Sequence, residues 1–461
     1  MNARVVIVGA GVSGLTAAYY LGRLGIRTLL IEKSSRPGGL VRTDQVEGCR
    51  LEAGPDSYLS AKPSVTELAA ELGQLKDQII PSNDAVRKVF IARAGKLLPL
   101  PDGMSMMVPG KLLPALGSKL FTTGTKLRLI RERFTPPRER AGDPSVGELI
   151  GDHFGQELLD CLAEPLLAGV YGGCAARLSA RSVIPRFVAY EQRYGSLIKG
   201  VQQDRKPGSG GSLFQSFKDG MQSLTDALQS AIGSSSEFLQ GEALAVETTA
   251  TGWQVRLSDR SIEAEQLVLA APAHACARLI EGTIPALALE LSAIPYSSAI
   301  LVTLLYDAAE IGHPLDGFGF LVPPRERATI AAATWINRKF PGRIAAGITA
   351  IRVFIVGEEA IQLAGACDRD LIARVTIDLE RLMGVAANPR TALVNRWPES
   401  MPQYIVGHQE RRRRIREINA QWPSLHLIGN AYDGVGIPDC VRLAKAAAAR
   451  IAQITSPSGT I

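Results

Sequence analysis

The sequence is sparing with the residues that would mark a secreted, metal-binding or membrane-spanning protein. Only six of its 461 residues are cysteine, at 49, 161, 174, 276, 367 and 440, with no C-x-x-C pair. That usage reads as reduced core thiols, not a disulfide framework. The five histidines lack metal-ligand spacing, so no metal site is expected. No apolar run reaches the roughly 18–20 residues that span a bilayer. The opening "MNARVVIVGAG" runs straight into a strand pattern and leaves no room for a signal peptide. The expectation is a cytoplasmic protein, soluble or at most peripheral on the inner face of the cell membrane. No repeat with a period of about 20–50 residues is apparent. Net charge is a mild +6, and the arginines of "QERRRRIREI" (409–418) alternate with glutamate. Nucleic-acid binding is therefore not expected, and that run reads as a solvated helix face.

What is present begins with strand, turn, helix, strand. The β-branched run Val5–Val8 suits a strand buried on both faces of a parallel sheet. Helix signals follow, Gly25 can end the helix, and "TLLIE" makes a second strand. The turn is Gly9-x-Gly11-x-x-Gly14. Its first glycine permits the tight turn, its second lets backbone approach a pyrophosphate, and its third lets helix and strand pack closely. Phosphate then lies at the positive end of the helix. Glu32 ends the second strand, where a carboxylate accepts hydrogen bonds from a ribose.

The rest of the chain divides by composition. Residues 92–200 lose period-2 alternation and read as a mostly helical insertion. "DRKPGSGGS" (204–212) is a flexible linker, and "GWQVRLSDRSIEAEQLVLAAPA" gives two strands. "SSAILVTLLY", "GFGFLV", "TIAAATW" and "IRVFIV" suggest a second sheet. The last segment returns to a strand, "LHLIGN", then a second Gly-rich turn, "GNAYDGVGIPDC", and an Ala-rich helix with Pro438 in its first turn. The expected architecture is α/β. A discontinuous Rossmann-like dinucleotide-binding domain (1–85, 205–275, 418–461) carries a helical domain (92–200). A mixed-sheet substrate domain (276–417, with 86–91) completes it.

Two features set FAD apart from NAD. The doublet Gly38-Gly39 lies too close to Glu32 for another helix to intervene, and "EAGPDSYL" (52–59) follows. Here the sequence resembles the glutathione-reductase-like FAD superfamily. Further on, "EPLLAGVYGGCAARLSARSVIPRF", "GFGFLVPPRERATIAAATWINRKFPGR" and "GNAYDGVGIPDC" look like the oxygen-dependent porphyrinogen oxidases, the protoporphyrinogen and bacterial coproporphyrinogen III oxidases. The likeness covers nearly the whole chain.

The resemblance implies FAD as sole cofactor. Its contacts fall on Gly9, Ala10, Gly11, Val12, Ser13, Gly14, Glu32, Lys33, Gly38, Gly39, Leu40 and Val246. The segment Gly54, Pro55, Asp56 and Ser57 would run under the isoalloxazine. Asn430 would meet the ribitol-phosphate, and Val435, Gly436 and Ile437 the flavin N1/C2 edge, where a helix N-terminus favours negative charge. Many relatives carry an acidic residue where Asn430 stands. The substrate pocket falls on Gly169, whose carbonyl would face pyrrole N–H groups, and on Phe318, Leu321 and Thr334. Arg87, with Arg93 as its rival, would meet a propionate.

The implied reaction takes six electrons from a porphyrinogen in heme biosynthesis, passing hydride to the flavin and then to O2 to give H2O2. No protein side chain stands out as a catalytic base, so the chemistry is expected of the flavin. The resemblance admits peripheral membrane contact, a homodimer and transient contact with the next heme-pathway enzyme. Another FAD amine oxidase or a carotenoid desaturase shares both Gly-rich turns and stays open, as does a non-catalytic flavoprotein.

Overall fold

The computed structural model describes residues 2–204 and 212–455, so the expected linker lies almost wholly outside the described residues. The first sheet runs in the order Ser236–Gln240, Thr28–Glu32, Asn2–Val8, Ser261–Leu269, the first three of these pairings being parallel. The strand Ser261–Leu269 then divides its free edge. Its first half pairs antiparallel with Trp253–Arg256, and its last three residues pair parallel with Leu425–Leu427. The expected strands are therefore present.

Both faces of this sheet are covered, which is why its strands read as continuous apolar runs. On one face Ile7 and Val268 meet Leu15 and Ala18 of the helix Val12–Arg23, and Val441, Ala444 and Ala448 of the C-terminal helix Ile437–Thr455. On the other, Val6, Leu29 and Leu267 meet Cys276 and Ile280 of the helix Ala273–Ile280 and Leu287 and Leu291 of the helix Pro285–Ser292.

A second seven-stranded sheet runs in the order Thr391–Pro402, Tyr296–Asp307, Ile348–Val356, Ala332–Trp335, Gly319–Leu321, Val89–Arg93, Lys96–Pro99. All its pairings are antiparallel except Gly319–Leu321 with Val89–Arg93. Alternate residues Phe320, Ala333, Trp335, Ile351 and Val353 pack against Leu371, Val375 and Leu379 of the helix Asp368–Met383. The period of 2 then turns Leu321, Thr334 and Arg352 to the opposite face. Residues 92–99, expected in the helical insertion, instead belong to a hairpin of this sheet, its strands Val89–Arg93 and Lys96–Pro99 joined by a turn at 94–95. Helices occupy much of 112–203 around a separate core of Leu149, Phe154, Leu162 and Phe187.

The arginine run forms the helix His408–Asn419, but most of it is not a free solvated face. Arg411 and Arg414 both bind Glu290, at 2.9 and 2.6 Å. Arg412 and Arg416, one turn apart, both bind Asp433 of the second Gly-rich turn. Spacing alone could not reveal these partners, because they lie in other segments.

Two buried histidines support the same region. His408 stacks on Tyr404 with ring centroids 4.0 Å apart, and its Nε2 faces the Tyr432 carbonyl at 3.3 Å. His426 meets Gln266 at 2.9 Å. Burial lowers both to about 4, below the usual 6.5. A histidine kept neutral by folding opposes acid, so its stability is complete above pH 6.5 and drains away as pH falls toward 4. Each loss is on the order of 2–3 kcal/mol. We expect unfolding midpoints in denaturant to drop steadily from pH 7 to pH 4.5, and His408→Gln to flatten that slope. A slope unchanged by the substitution contradicts the assignment.

Candidate active site

Register alone brings the two Gly-rich turns together. Val8 pairs with Ile31 on one side and Leu269 on the other, and Leu269 pairs with Leu427. Glu32, Gly9, Ala270 and Ile428 therefore leave the sheet at one carboxyl edge, where open α/β sheets bind ligands. Neighbouring strands are about 4.8 Å apart, so the mouths of the two turns lie on the order of 10 Å apart. One dinucleotide spans that distance. The helices the turns open also touch, since the Ser13 and Cys440 side chains meet and burial pushes the Cys440 thiol up to about 11.

The first turn is built by close backbone approach. A Cβ on Gly14 would stand 1.9 Å from the Gly9 carbonyl oxygen, so no other residue fits there. At Gly11 a Cβ would meet nothing within 4 Å, which leaves its face open to a ligand. Glu32 accepts a hydrogen bond from the Ala10 N–H at 2.8 Å, and from the Ser34 N–H and hydroxyl at 3.0 and 2.6 Å. Its carboxylate is thus fixed beside the turn with acceptor capacity to spare for a ribose, and Lys33 next to it is exposed. The Gly38 N–H donates to the Ala10 carbonyl at 2.8 Å, so the doublet Gly38-Gly39 lies against the turn and exposes Leu40 at its rim.

The second turn is braced from outside. The Tyr404 hydroxyl donates to the Asn430 carbonyl at 2.7 Å and accepts from the Gly434 N–H at 2.9 Å. Gly429 has open space where a Cβ would stand. Asp439, in the first turn of the last helix, pairs with Lys62 at 2.6 Å, and Val435, Gly436 and Ile437 remain partly exposed.

Three elements converge beside this turn. Val435, Leu321 and Tyr171 all pack against the helical core. Burial, with the Asp439 charge, pushes the Tyr171 hydroxyl up to about 12. Tyr171 ends the helix Glu164–Tyr171, whose Gly169 is exposed and would place a Cβ 3.7 Å from Leu321 Cδ2. At this helix end Ala168, Tyr171 and Gly172 find donors for their carbonyls in the Gly172 N–H, the Gln403 amide and the Ser297 hydroxyl. Among the described residues none meets the Gly169 carbonyl. Phe318 is buried just before the strand Gly319–Leu321, its N–H bonded to the Lys88 carbonyl at 2.8 Å. Thr334 pairs in register with Arg352.

The segment 54–57 begins against the backbone just after the glycine doublet. A Cβ on Gly54 would lie 1.9 Å from the Leu40 carbonyl oxygen. The Asp56 side chain does not face a cofactor, because Lys339 holds it at 2.9 Å and Arg352 stands 3.7 Å away. Those cations hold its carboxyl well below the usual range, so the backbone of 54–57 is what remains for a flavin.

At two further expected positions the side chain or backbone already has a partner. Arg87 lies half exposed, paired with Asp84 at 3.0 Å in its own 3-10 turn, and Arg93 binds Glu157 at 2.6 Å within the helical unit. Val246 is buried against Trp253 in an antiparallel strand, its carbonyl taken by the Thr283 hydroxyl. The sequence reading also passed over Arg36 and Tyr404. Arg36 donates to the carbonyls of Pro37, Gly39 and Val41 at 2.9, 2.8 and 3.0 Å, which fixes the doublet loop. Its place just before the doublet was a usable signal, whereas nothing in the sequence ties Tyr404 to Asn430.

This is the site of a flavin-dependent oxidoreductase, and the model of the flavin containing amine oxidoreductases matches residues 12–452. The chain belongs to that family. Within it, the coproporphyrinogen III oxidase of Bacillus subtilis (strain 168) is 32% identical, over 96% of each chain. The protoporphyrinogen oxidase of Bos taurus is 29% identical, over 98% of each. A crystal structure from Exiguobacterium sp. 255-15 superposes with a TM-score of 0.87 at 32% identity, over 98% of this chain and 99% of that one. FAD is the cofactor, and the open faces at Gly11 and Gly429 and the poised Glu32 carboxylate fit it.

Glu32→Ala removes a charge-assisted acceptor worth roughly 1.5–3 kcal/mol, about a 10- to 100-fold loss of FAD affinity. Titrating the apoprotein and following quenching of FAD fluorescence measures it, and an unchanged affinity contradicts the ribose role.

Proposed function

We propose that this protein oxidises a porphyrinogen, coproporphyrinogen III or protoporphyrinogen IX, to the porphyrin in heme biosynthesis, with O2 as terminal acceptor and H2O2 as by-product. The observation that carries this reading is the end-to-end likeness to porphyrinogen oxidases at 32% identity, which includes the helical unit supplying Gly169. When bound, the flavin supplies a two-electron acceptor that O2 regenerates, so three cycles account for six electrons.

The chain's own contribution is position and environment. The Gly169 carbonyl, at the negative end of its helix, accepts hydrogen bonds from the pyrrole N–H groups and holds the macrocycle. Leu321 and Val435 supply apolar walls that exclude water from a large, mostly apolar substrate. Val435, Gly436 and Ile437, opening the C-terminal helix, offer N–H groups and a positive helix end toward the flavin edge that gains negative charge on reduction. Released N–H protons pass to water, with no side chain assigned as their base. The division into an FAD unit, a substrate sheet and a helical unit supports this work, each presenting one wall of the junction.

Among the described residues no helix is long and apolar enough to cross a membrane. Peripheral contact is compatible with the helical unit, which exposes Leu113 and Phe134 strongly.

The test is side-by-side incubation of the FAD-loaded protein with both porphyrinogens under air. Porphyrin fluorescence should grow well above autoxidation, with H2O2 released in proportion. If neither substrate is oxidised faster than without protein, while an amine or carotenoid bleaches the flavin, the reading fails. Gly169→Val should lower kcat/KM by about tenfold or more by filling the space against Leu321.

A further inference from the structure

A short segment, 403–408, is bonded both to the helical unit and to the second Gly-rich turn. Gln403 and Tyr404 are adjacent and buried, yet they serve different neighbours. The Gln403 amide donates to the Tyr171 carbonyl, at the end of the helix that carries Gly169. The Tyr404 hydroxyl donates to the Asn430 carbonyl at 2.7 Å and accepts from the Gly434 N–H at 2.9 Å. One oxygen thus ties both ends of the turn together. The backbone of the segment is held by the helical unit. The Ser179 N–H donates to the Tyr404 carbonyl at 2.8 Å, and the Val406 N–H to the Arg177 carbonyl at 2.9 Å. Asp143 accepts from the Gly407 N–H at 2.9 Å and from the Ser179 hydroxyl at 2.7 Å.

Tyr404 is itself fixed. Its ring stacks on His408 with the planes 12° apart, and His408 Nε2 faces the Tyr432 carbonyl at 3.3 Å. Burial holds the Tyr404 phenol well above its usual range, so the hydroxyl keeps the proton it donates to Asn430. The turn is therefore gripped at Asn430, Tyr432 and Gly434 from one strap, and it leads directly into the helix Ile437–Thr455. Where the turn points decides where the N–H groups of 435–437 and the positive helix end point. Donors fixed in advance stabilise a charge that develops at the site, and loosely held donors stabilise it less. An oxidised flavin edge is uncharged and a reduced one gathers negative charge. The strap therefore acts on the balance between the two, more than on how tightly oxidised FAD is held.

We infer that Tyr404 is a positioning residue that raises the reduction potential of the bound FAD, anchored by the strap 403–408 to the helical unit. This rests on the flavin edge facing 435–437, as in the proposed reading. The same strap fixes the end of the Gly169 helix through Gln403, so the substrate wall and the flavin turn are set against each other by neighbouring side chains.

The test compares FAD-loaded full-length variants by anaerobic titration against a reference dye. Tyr404→Phe keeps the ring and its stack and removes only the hydroxyl. It should shift the redox equilibrium about tenfold toward oxidised flavin, about 30 mV for a two-electron couple. Affinity for oxidised FAD should change far less. Ile437→Pro removes one N–H at a first helical position, where proline is tolerated, and should lower the potential as well. If Ile437→Pro leaves the potential unchanged, the edge placement fails and the inference falls with it. If Ile437→Pro lowers the potential and Tyr404→Phe does not, the role given to Tyr404 is overturned while the edge placement stands. Weaker FAD binding in Tyr404→Phe with an unchanged potential in the bound fraction would leave only a structural role and also overturn it. Should Tyr404→Phe not fold, His408→Phe keeps a ring for the stack and gives up the Tyr432 carbonyl. Its potential should fall too, and an unchanged value there overturns the strap.

Discussion

Main-chain pairing at one residue, Leu269, is the constraint on which the molecule depends. Val8 lies in register on one side of it and Leu427 on the other, and the next N–H groups, of Ala270 and Ile428, close onto Val8 and Leu269 at 2.8 and 3.1 Å. Slipping either strand by one residue would turn its buried side chains to the wrong face and part the two turns. Sequence segments some 420 residues apart thus become two walls of one cradle. The intervening chain is free to build the second sheet and the helical unit without disturbing it.

The cradle's chemistry follows from what the backbone can reach. Close approaches at Gly14 and Gly54 pack the backbone tightly, the open faces at Gly11 and Gly429 leave room for the cofactor, and the polar groups around them are fixed by neighbours. Tyr404 braces Asn430 and Gly434, Arg36 ties down the doublet loop, and Lys339 and Arg352 draw the Asp56 carboxylate away toward the second sheet. Such bracing costs nothing at the moment of reaction, because the dipoles are already oriented. In the proposed reading, substrate contact falls to a helix-end carbonyl that has no partner among the described residues and to apolar walls, a sparse arrangement suited to a macrocycle oxidised three times.

What was legible in the sequence follows physical locality. The Gly-x-Gly-x-x-Gly turn, Glu32 and the doublet lie within thirty-one residues, and each is required by local backbone geometry. Strands buried on both faces announce themselves by composition, as Val5–Val8 and Ile348–Val356 do. Long-range partners were not legible. Arg87 is the exception, since its partner Asp84 lies only three residues away and was visible locally. Val246 lies in an antiparallel strand, and its carbonyl accepts from the Thr283 hydroxyl, a partner in another element. The arginine helix looked solvated because Glu290 and Asp433 lie far from it in sequence or in another element. Residues 92–99 looked like part of the helical unit because the two short strands that end the sheet carry little alternation.

The central claim, that one FAD held between both chain ends takes electrons directly from a porphyrinogen, is tested by anaerobic single-turnover mixing. The account predicts that coproporphyrinogen III or protoporphyrinogen IX bleaches the flavin's visible absorbance without oxygen, at least as fast as steady-state turnover, with colour returning when O2 is admitted. A flavin that stays oxidised in the presence of both porphyrinogens would contradict it.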